Sequence, residues 1–280
     1  MQHFLLIPLL LLQFAGVDRL FTEAKYVECE KALQEMLPQA EPGHESSEVL
    51  WRLSRAVLLQ GDEASTVKAK REFYTRGIEY AEKAIEEDPK NPEAYMWHSG
   101  NIGRDCLTRS LTEQAKASGK VQKDLTIILN RLGKSKHSSA WHALAELYWR
   151  HPFKSTDAAV NFARRAVATI PSGEVRLITC NLLADILLDR GWGADKRAKE
   201  AAGNAEKFQS AKANIDKYGF YDGSAPQLPW VKGSLGEMTD REEALAVLRY
   251  AQSRYNAFPE THAFEQAEYK NLLNRINNLK

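Results

Sequence analysis

Apolar positions recur every three or four residues along most of this chain, and no stretch sustains a two-residue alternation, so the pattern predicts helices throughout. It is clearest in Ala140–Pro171. Trp141, Leu144 and Tyr148 fall at i, i+3 and i+7 on one helical face, with small Ala145 beside them where a neighbouring helix can come close. A second helix carries Ala159, Ala163 and Ala166. Pro171 ends it, because proline lacks a backbone donor and restricts the residue before it. Large residues on one helix and small ones on the next describe an antiparallel pair.

The rest of the chain repeats this with variations. Asp18 is a candidate cap for a helix running through about Met36, with Leu20, Phe21, Ala24, Val27 and Leu33 on its apolar side. Pro38–Ser47 reads as a polar loop. Ser47–Gln60 gives a first helix, with Leu50, Trp51, Ser54, Val57 and Leu58 in phase and Gly61 as its stop. Its partner, Thr75–Pro89, places Gly77, Ala81 and Ala84 on the small face. Trp51 and Ala84 are 33 residues apart, Trp141 and Ala166 only 25, so a charged insertion is expected near residues 61–72. Asn91 and Pro92 open a helix with Tyr95, Met96 and Ile102 on its apolar side. Asp105–Arg131 is long, basic and periodic, with Gly119 as a candidate break. Val175–Arg190 is apolar over a broad face and is expected to be covered on both sides. After Gly191-Trp192-Gly193, Ala194–Tyr218 reads as one long polar helix. Tyr218–Met238, rich in glycine, proline and aromatics, reads as an irregular loop with Trp230 as a packing anchor. Thr239 or Asp240 starts the next helix, and Pro259–Leu279 forms the last.

The W-x2-L-A-x2-Y run at Trp141–Tyr148, followed by alanines and a closing proline, resembles the tetratricopeptide repeat, and Trp51–Pro89 is a weaker copy. The resemblance implies an all-α fold, an α-α superhelix built as a right-handed solenoid of antiparallel helix pairs. The expected organisation is a single helical-repeat domain over residues 17–280 with an irregular loop at 218–238. Residues 1–16 read in two ways. Phe4–Leu12 has the length of a signal-peptide core, but no Lys or Arg precedes it, so it is a signal or targeting segment or else a helix packed on the domain. Retention implies a cytoplasmic or cytoskeletal protein, and cleavage a secretory or membrane-associated one.

A finer resemblance lies in LWRLSRA at Leu50–Ala56 and YAEKAIEEDPKNPEAYMWHSG at Tyr80–Gly100, joined by the charged insertion. These stretches are similar to the regulator of microtubule dynamics family. The resemblance implies a helical-repeat protein associated with microtubules or organelle membranes. It does not extend past about residue 130.

Composition changes this picture little. Apolar residues make up 44% and charged residues 27% of the 280, as in ordinary soluble proteins. The net charge of +1 hides an uneven spread: residues 1–65 carry 5 Lys/Arg against 10 Asp/Glu, and residues 116–217 carry 18 against 10. A basic middle fits an acidic protein partner such as tubulin, or an anionic lipid surface. Aromatics interleave little with the lysines, which disfavours nucleic acid. Cys29, Cys106 and Cys180 form no CxxC pair, and the seven histidines include no HExxH, so neither a metal site nor a cofactor motif is expected. No nucleophile context or phosphate loop appears, and the expectation is a non-catalytic scaffold. Its runner-up is a lipid or small-molecule carrier. Two surfaces are candidates for binding: a concave face with Arg52, Arg55, Asn101, Arg104, His142, Glu146, Asn181 and Asp185, and a basic stripe of Lys196, Arg197, Lys199, Lys207, Lys212 and Lys217.

Overall fold

A computed structural model of the chain describes residues 6–151, 153–220, 228–258 and 263–279. Among these the chain is helix and turn, with no strand. The helices gather into two compact units, Met1–Asp124 and Leu125–Lys280.

The first unit holds α1 (Leu6–Thr22), α2 (Tyr26–Met36), α3 (His44–Glu63), α4 (Val67–Glu87), α5 (Pro92–Cys106) and most of α6 (Leu111–Thr126). Its centre is the packing of α3 against α2, α4 and α5. Leu33, Val49, Leu53, Ala56, Ala81 and Ala84 are fully buried there. Burying each leucine is worth about 2 kcal/mol. Two hydroxyls stitch α3 to α4: Ser47 Oγ donates to the Ala84 carbonyl at 2.8 Å, and Ser54 Oγ to the Gly77 carbonyl at 2.8 Å. Asn91 and Asn101 complete the seam, each giving its Nδ2 to one of these serines at 3.0 Å.

Three expectations change here. The helix predicted from Asp18 to Met36 is broken at Glu23–Lys25, where Ala24 takes φ = 58° and Lys25 N–H donates back to the Leu20 carbonyl. Gly61 does not stop α3, which continues to Glu63. A Cβ at Gly61 would lie 2.6 Å from the Tyr74 ring, so the glycine admits that ring. The charged insertion is absorbed as extra helical turns, with only Ala64–Thr66 between α3 and α4 and Thr66 capping α4 through Ala69 N–H at 3.1 Å. The start at Asn91-Pro92 is as predicted: Asn91 Oδ1 accepts Glu93 N–H at 3.1 Å.

The basic segment also divides differently. α6 runs straight through Gly119; the interruption falls earlier, at Leu107–Ser110, and a π turn follows at Ile127–Arg131.

The second unit holds α7 (Ser138–Arg150), α8 (Thr156–Ala168), α9 (Leu177–Arg190), α10 (Ala194–Ser210), α11 (Asn214–Tyr218), α12 (Asp240–Ala257) and α13 (Ala263–Leu279). Trp141 is fully buried and stacks on Phe162 at 5.6 Å, while Tyr148 meets Phe162 edge-on at 5.0 Å. Ser138 Oγ donates to the Ala166 carbonyl at 2.8 Å, repeating between α7 and α8 the contact of Ser47 with Ala84. α9 packs on α8, α12 and α13, as its broad apolar face predicts, and Gly191 ends it at φ = 62°. The helix expected over Ala194–Tyr218 is interrupted at Ala211–Ala213. The interruption lets Tyr218 of α11 lie against both Trp141 (5.4 Å) and Phe208 (5.7 Å). Within Tyr218–Met238, residues 221–227 lie outside the described residues; Trp230 is buried, with a 3-10 turn at Leu235–Glu237. Thr239 starts α12 with a capping box to Glu242. The expected start at Pro259 and residues 1–5 of the N-terminal segment also lie outside the description; from Leu6 onward that segment is helix. Among the described residues no helix is long and apolar enough to cross a membrane.

Candidate functional site

Of the concave-face residues in the first unit, Arg52 and Asn101 are buried, Arg55 is mostly buried and Arg104 is partly exposed. Arg52 binds Asp18 at 3.1 Å and Glu48 at 2.7 Å, and Arg55 binds Asp18 at 2.5 Å. Both guanidiniums also lie over aromatic rings: Arg52 on Phe14 (4.1 Å) and Trp51 (4.2 Å), Arg55 on Phe21 (3.8 Å). Phe14, Asp18 and Phe21 are all on α1, so α1 occupies the face of α3 on which the two arginines stand. Burial pushes the Asp18 carboxyl up, and the two arginines outweigh this and hold it below its ordinary value. Asn101 lies in the interior seam and Arg104 pairs with Asp62 at 3.3 Å.

In the second unit His142 is half-buried on α7, and Glu146 pairs with Arg150 one turn on, at 2.9 Å. Asn181 and Asp185 of α9 are engaged by α13. Asn181 Nδ2 donates to Glu268 at 2.9 Å, and Arg275 binds Asp185 at 2.9 Å. Asn181 and Asp185 thus meet another helix of the same chain, whereas Glu146 pairs within α7.

The basic stripe is split by the fold. Arg197 is buried, whereas Lys196, Lys199 and Lys207 of α10 are exposed, as is Lys212, with Lys217 half-buried. Asp195, Glu200 and Glu206 are exposed on α10 as well, three carboxylates against its three exposed lysines. The lysines do meet aromatics, contrary to the sequence reading. Lys196 caps Trp192 (4.3 Å), Lys207 caps Phe220 (5.2 Å) and Lys217 caps Phe208 (4.8 Å). These ring faces are engaged by cations and do not form an open stacking platform.

Sequence reasoning missed two arrangements. The first is on α6, where Lys116, Lys120 and Lys123 fall at i, i+4 and i+7 and are all exposed. The nearby carboxylates are committed elsewhere: Glu113 to Ser110 and Arg109, and buried Asp124 to His98 at 2.7 Å. This short stripe therefore keeps its positive charge.

The second is a buried charge cluster joining α8, α9, α10 and α12. Glu243 accepts Arg164 at 2.6 and 2.9 Å and Arg197 at 2.6 Å. Asp240 accepts Arg190 at 2.7 and 2.9 Å and Arg197 at 3.1 Å, and Asp157 also accepts Arg190. Trp230 Nε1 donates to Glu243 at 3.4 Å, which is what anchors the loop tryptophan. Burial pushes Glu243 up, but Arg164 and Arg197 prevail and hold it at about 2. A cleft of about 410 Å³ opens beside this cluster, bordered by Asp157, Asn161, Trp192, Glu200 and Asn204. Each guanidinium facing it is already bonded to a carboxylate, and the three arginines balance three acids, so this wall is electrically quiet.

Glu265 of α13 is set differently. It accepts the Leu177 N–H at 2.7 Å, capping the start of α9, with Glu268 and Arg176 nearby. Burial outweighs the N–H bond and pushes its carboxyl up to about 7, against 4.5 when unfolded. The folded state thus holds a proton that the unfolded chain has released, and stability falls as pH rises from 4.5 to 7. We expect urea stability to drop by on the order of 2 kcal/mol between pH 5 and pH 8 from this group, and Glu265→Gln to flatten that slope.

The thiols are quiet: burial pushes Cys29 up to about 11 and Cys180 to about 12, so both stay protonated near neutrality. Among the described residues no group of His, Cys, Asp and Glu has the arrangement to hold a metal ion.

Residues 13–150 match the family model described as Regulator of microtubule dynamics protein 1-3. A comparison with curated proteins gives no match.

Proposed function

We propose that this chain, whose residues 13–150 belong to the regulator of microtubule dynamics family, is a non-catalytic helical-repeat scaffold of the tetratricopeptide kind that associates with microtubules. The family match carries the reading. The repeated serine-to-alanine contact, Ser47 with Ala84 and Ser138 with Ala166, supports the repeat character. Within the matched span, the exposed stripe Lys116, Lys120 and Lys123 is the surface suited to the acidic tails of tubulin. Attraction between exposed charges of this kind steers association and weakens as salt rises. The α10 lysines are a poorer choice, because their own carboxylates offset them.

Co-sedimentation of the full chain with microtubules at low and moderate salt tests this. The wild-type chain is expected in the pellet at low salt and less so at moderate salt. Replacing the three α6 lysines by glutamate should weaken binding about tenfold or more, while the same change at Lys196, Lys199 and Lys207 should have a small effect. Absence of the wild type from the pellet at both salts would sink the microtubule reading. A reversed order of the two triple variants would move the surface to α10.

A further inference from the structure

The turn between α1 and α2 opposes its own sequence. Glu23, Ala24 and Lys25 are all good helix formers, and the hydrophobic spacing runs through them in phase, which is why the sequence predicts one helix there. Yet the chain reverses at this point, with Ala24 in the left-handed region where glycine is the favoured residue. Among the described residues Ala24 is the one non-glycine at positive φ. Local preference therefore favours a continuous helix over residues 6–36, about 46 Å long, and tertiary docking of α1 holds the chain bent.

Docking of α1 has a definite chemistry. Phe14, Asp18 and Phe21, at i, i+4 and i+7, present ring, carboxylate and ring to Arg52 and Arg55 of α3. Phe14 and Val17 also close the core formed by Cys29, Leu33, Leu50 and Trp51. Straightening the hinge removes α1 from its own groove and leaves that core, buried Arg52 and mostly buried Arg55 uncovered. The occupant that restores every contact is the same helix from another molecule.

We propose that α1 is an exchangeable arm, and that the groove on α2 and α3 accepts α1 of a second copy of this chain in a reciprocal swap. Short strained connectors favour this exchange, because the swapped form keeps the native contacts and relaxes the hinge. Ala24→Gly acts against it twice, easing the bent turn and disfavouring the straight helix.

The test uses the full chain and native mass spectrometry. Wild type refolded at high concentration should contain dimer, and Ala24→Gly should lower the dimer-to-monomer ratio about tenfold. Two further variants break the clamp from opposite sides: Asp18→Arg, and Arg52→Asp together with Arg55→Asp. In a swapped heterodimer of these two, one site joins altered arm to altered groove with opposite charges, and the other joins unaltered arm to unaltered groove. Refolding them together should give a heterodimer about tenfold or more in excess of either homodimer. If neither variant folds alone, recovery of folded heterodimer on co-refolding supports the swap equally. A mixture that gives only monomers, or equal dimer content in wild type and Ala24→Gly, overturns the proposal.

Discussion

Glu243→Ala should destabilise the full chain by about 3–5 kcal/mol, read as the loss of urea stability at pH 7. The reason lies in what remains. Removing the carboxylate takes two charge-assisted hydrogen bonds from Arg164, which keeps its bond to Asn161, and one of two carboxylates from Arg197. Both guanidiniums lie below a tenth exposed, so water cannot replace the lost partner. The cluster as a whole need not be stabilising, because desolvating paired charges costs much of what their attraction returns. A paired replacement separates the two effects. Arg164→Met with Glu243→Leu leaves Arg190 and Arg197 facing Asp157 and Asp240, still balanced, and should recover most of the loss. If Glu243→Ala costs under 1 kcal/mol, the cluster is not the dry network described. Acid dependence gives a second check. With Glu243 held at about 2 against 4.5 unfolded, its contribution is complete above pH 4.5 and is lost as pH falls towards 2.

Gly77→Ala is the corresponding weak point of the first unit. A Cβ there would stand 2.0 Å from Asn101 Oδ1 and 2.4 Å from its Cγ, closer than any relaxed contact allows. Asn101 is fully buried and hydrogen-bonded to Ser54 and to the Trp97 carbonyl, so it cannot swing aside without losing those bonds. The expected cost is about 2–4 kcal/mol from overpacking and the broken seam, measured by thermal or urea unfolding. Gly77→Ala combined with Asn101→Ala should be more stable than Gly77→Ala alone, since the second change removes the clashing amide. Additive losses in the double variant would show that the clash is relieved elsewhere.

The helical organisation was legible because amphipathic spacing and caps are local. Asn91-Pro92 and Thr239 start helices where their side chains satisfy exposed N–H groups, and the Trp141 and Ala166 faces pack as their spacing implies. Sequence and structure part where a residue's role depends on a distant neighbour. Gly61 resembled a terminator, but it makes room for Tyr74; Gly119 lies in an exposed helix that tolerates it. Ala24 carried no turn signal, since the reversal is imposed by docking of α1 and not by its own chemistry. The candidate site was less legible for the same reason. Arg52 and Arg55 sat at the polar positions expected of a binding face, yet their partner Asp18 lies 34 and 37 residues away in the chain. Arg164 and Glu243 are 79 apart, and no periodicity links such a pair.

The serine seam has a mechanical consequence. Interlocked apolar side chains resist sliding only through many weak contacts, but Ser47 and Ser54 grip fixed carbonyls on α4 at two points seven residues apart on α3. Sliding α3 along α4 by a fraction of a turn, well short of the roughly 5.4 Å helical pitch, breaks both bonds together. Under tension along the pair, the helices should hold register until both bonds fail at once and then yield abruptly. Joined in this way, the α3–α4 pair is a brittle link and not a compliant one.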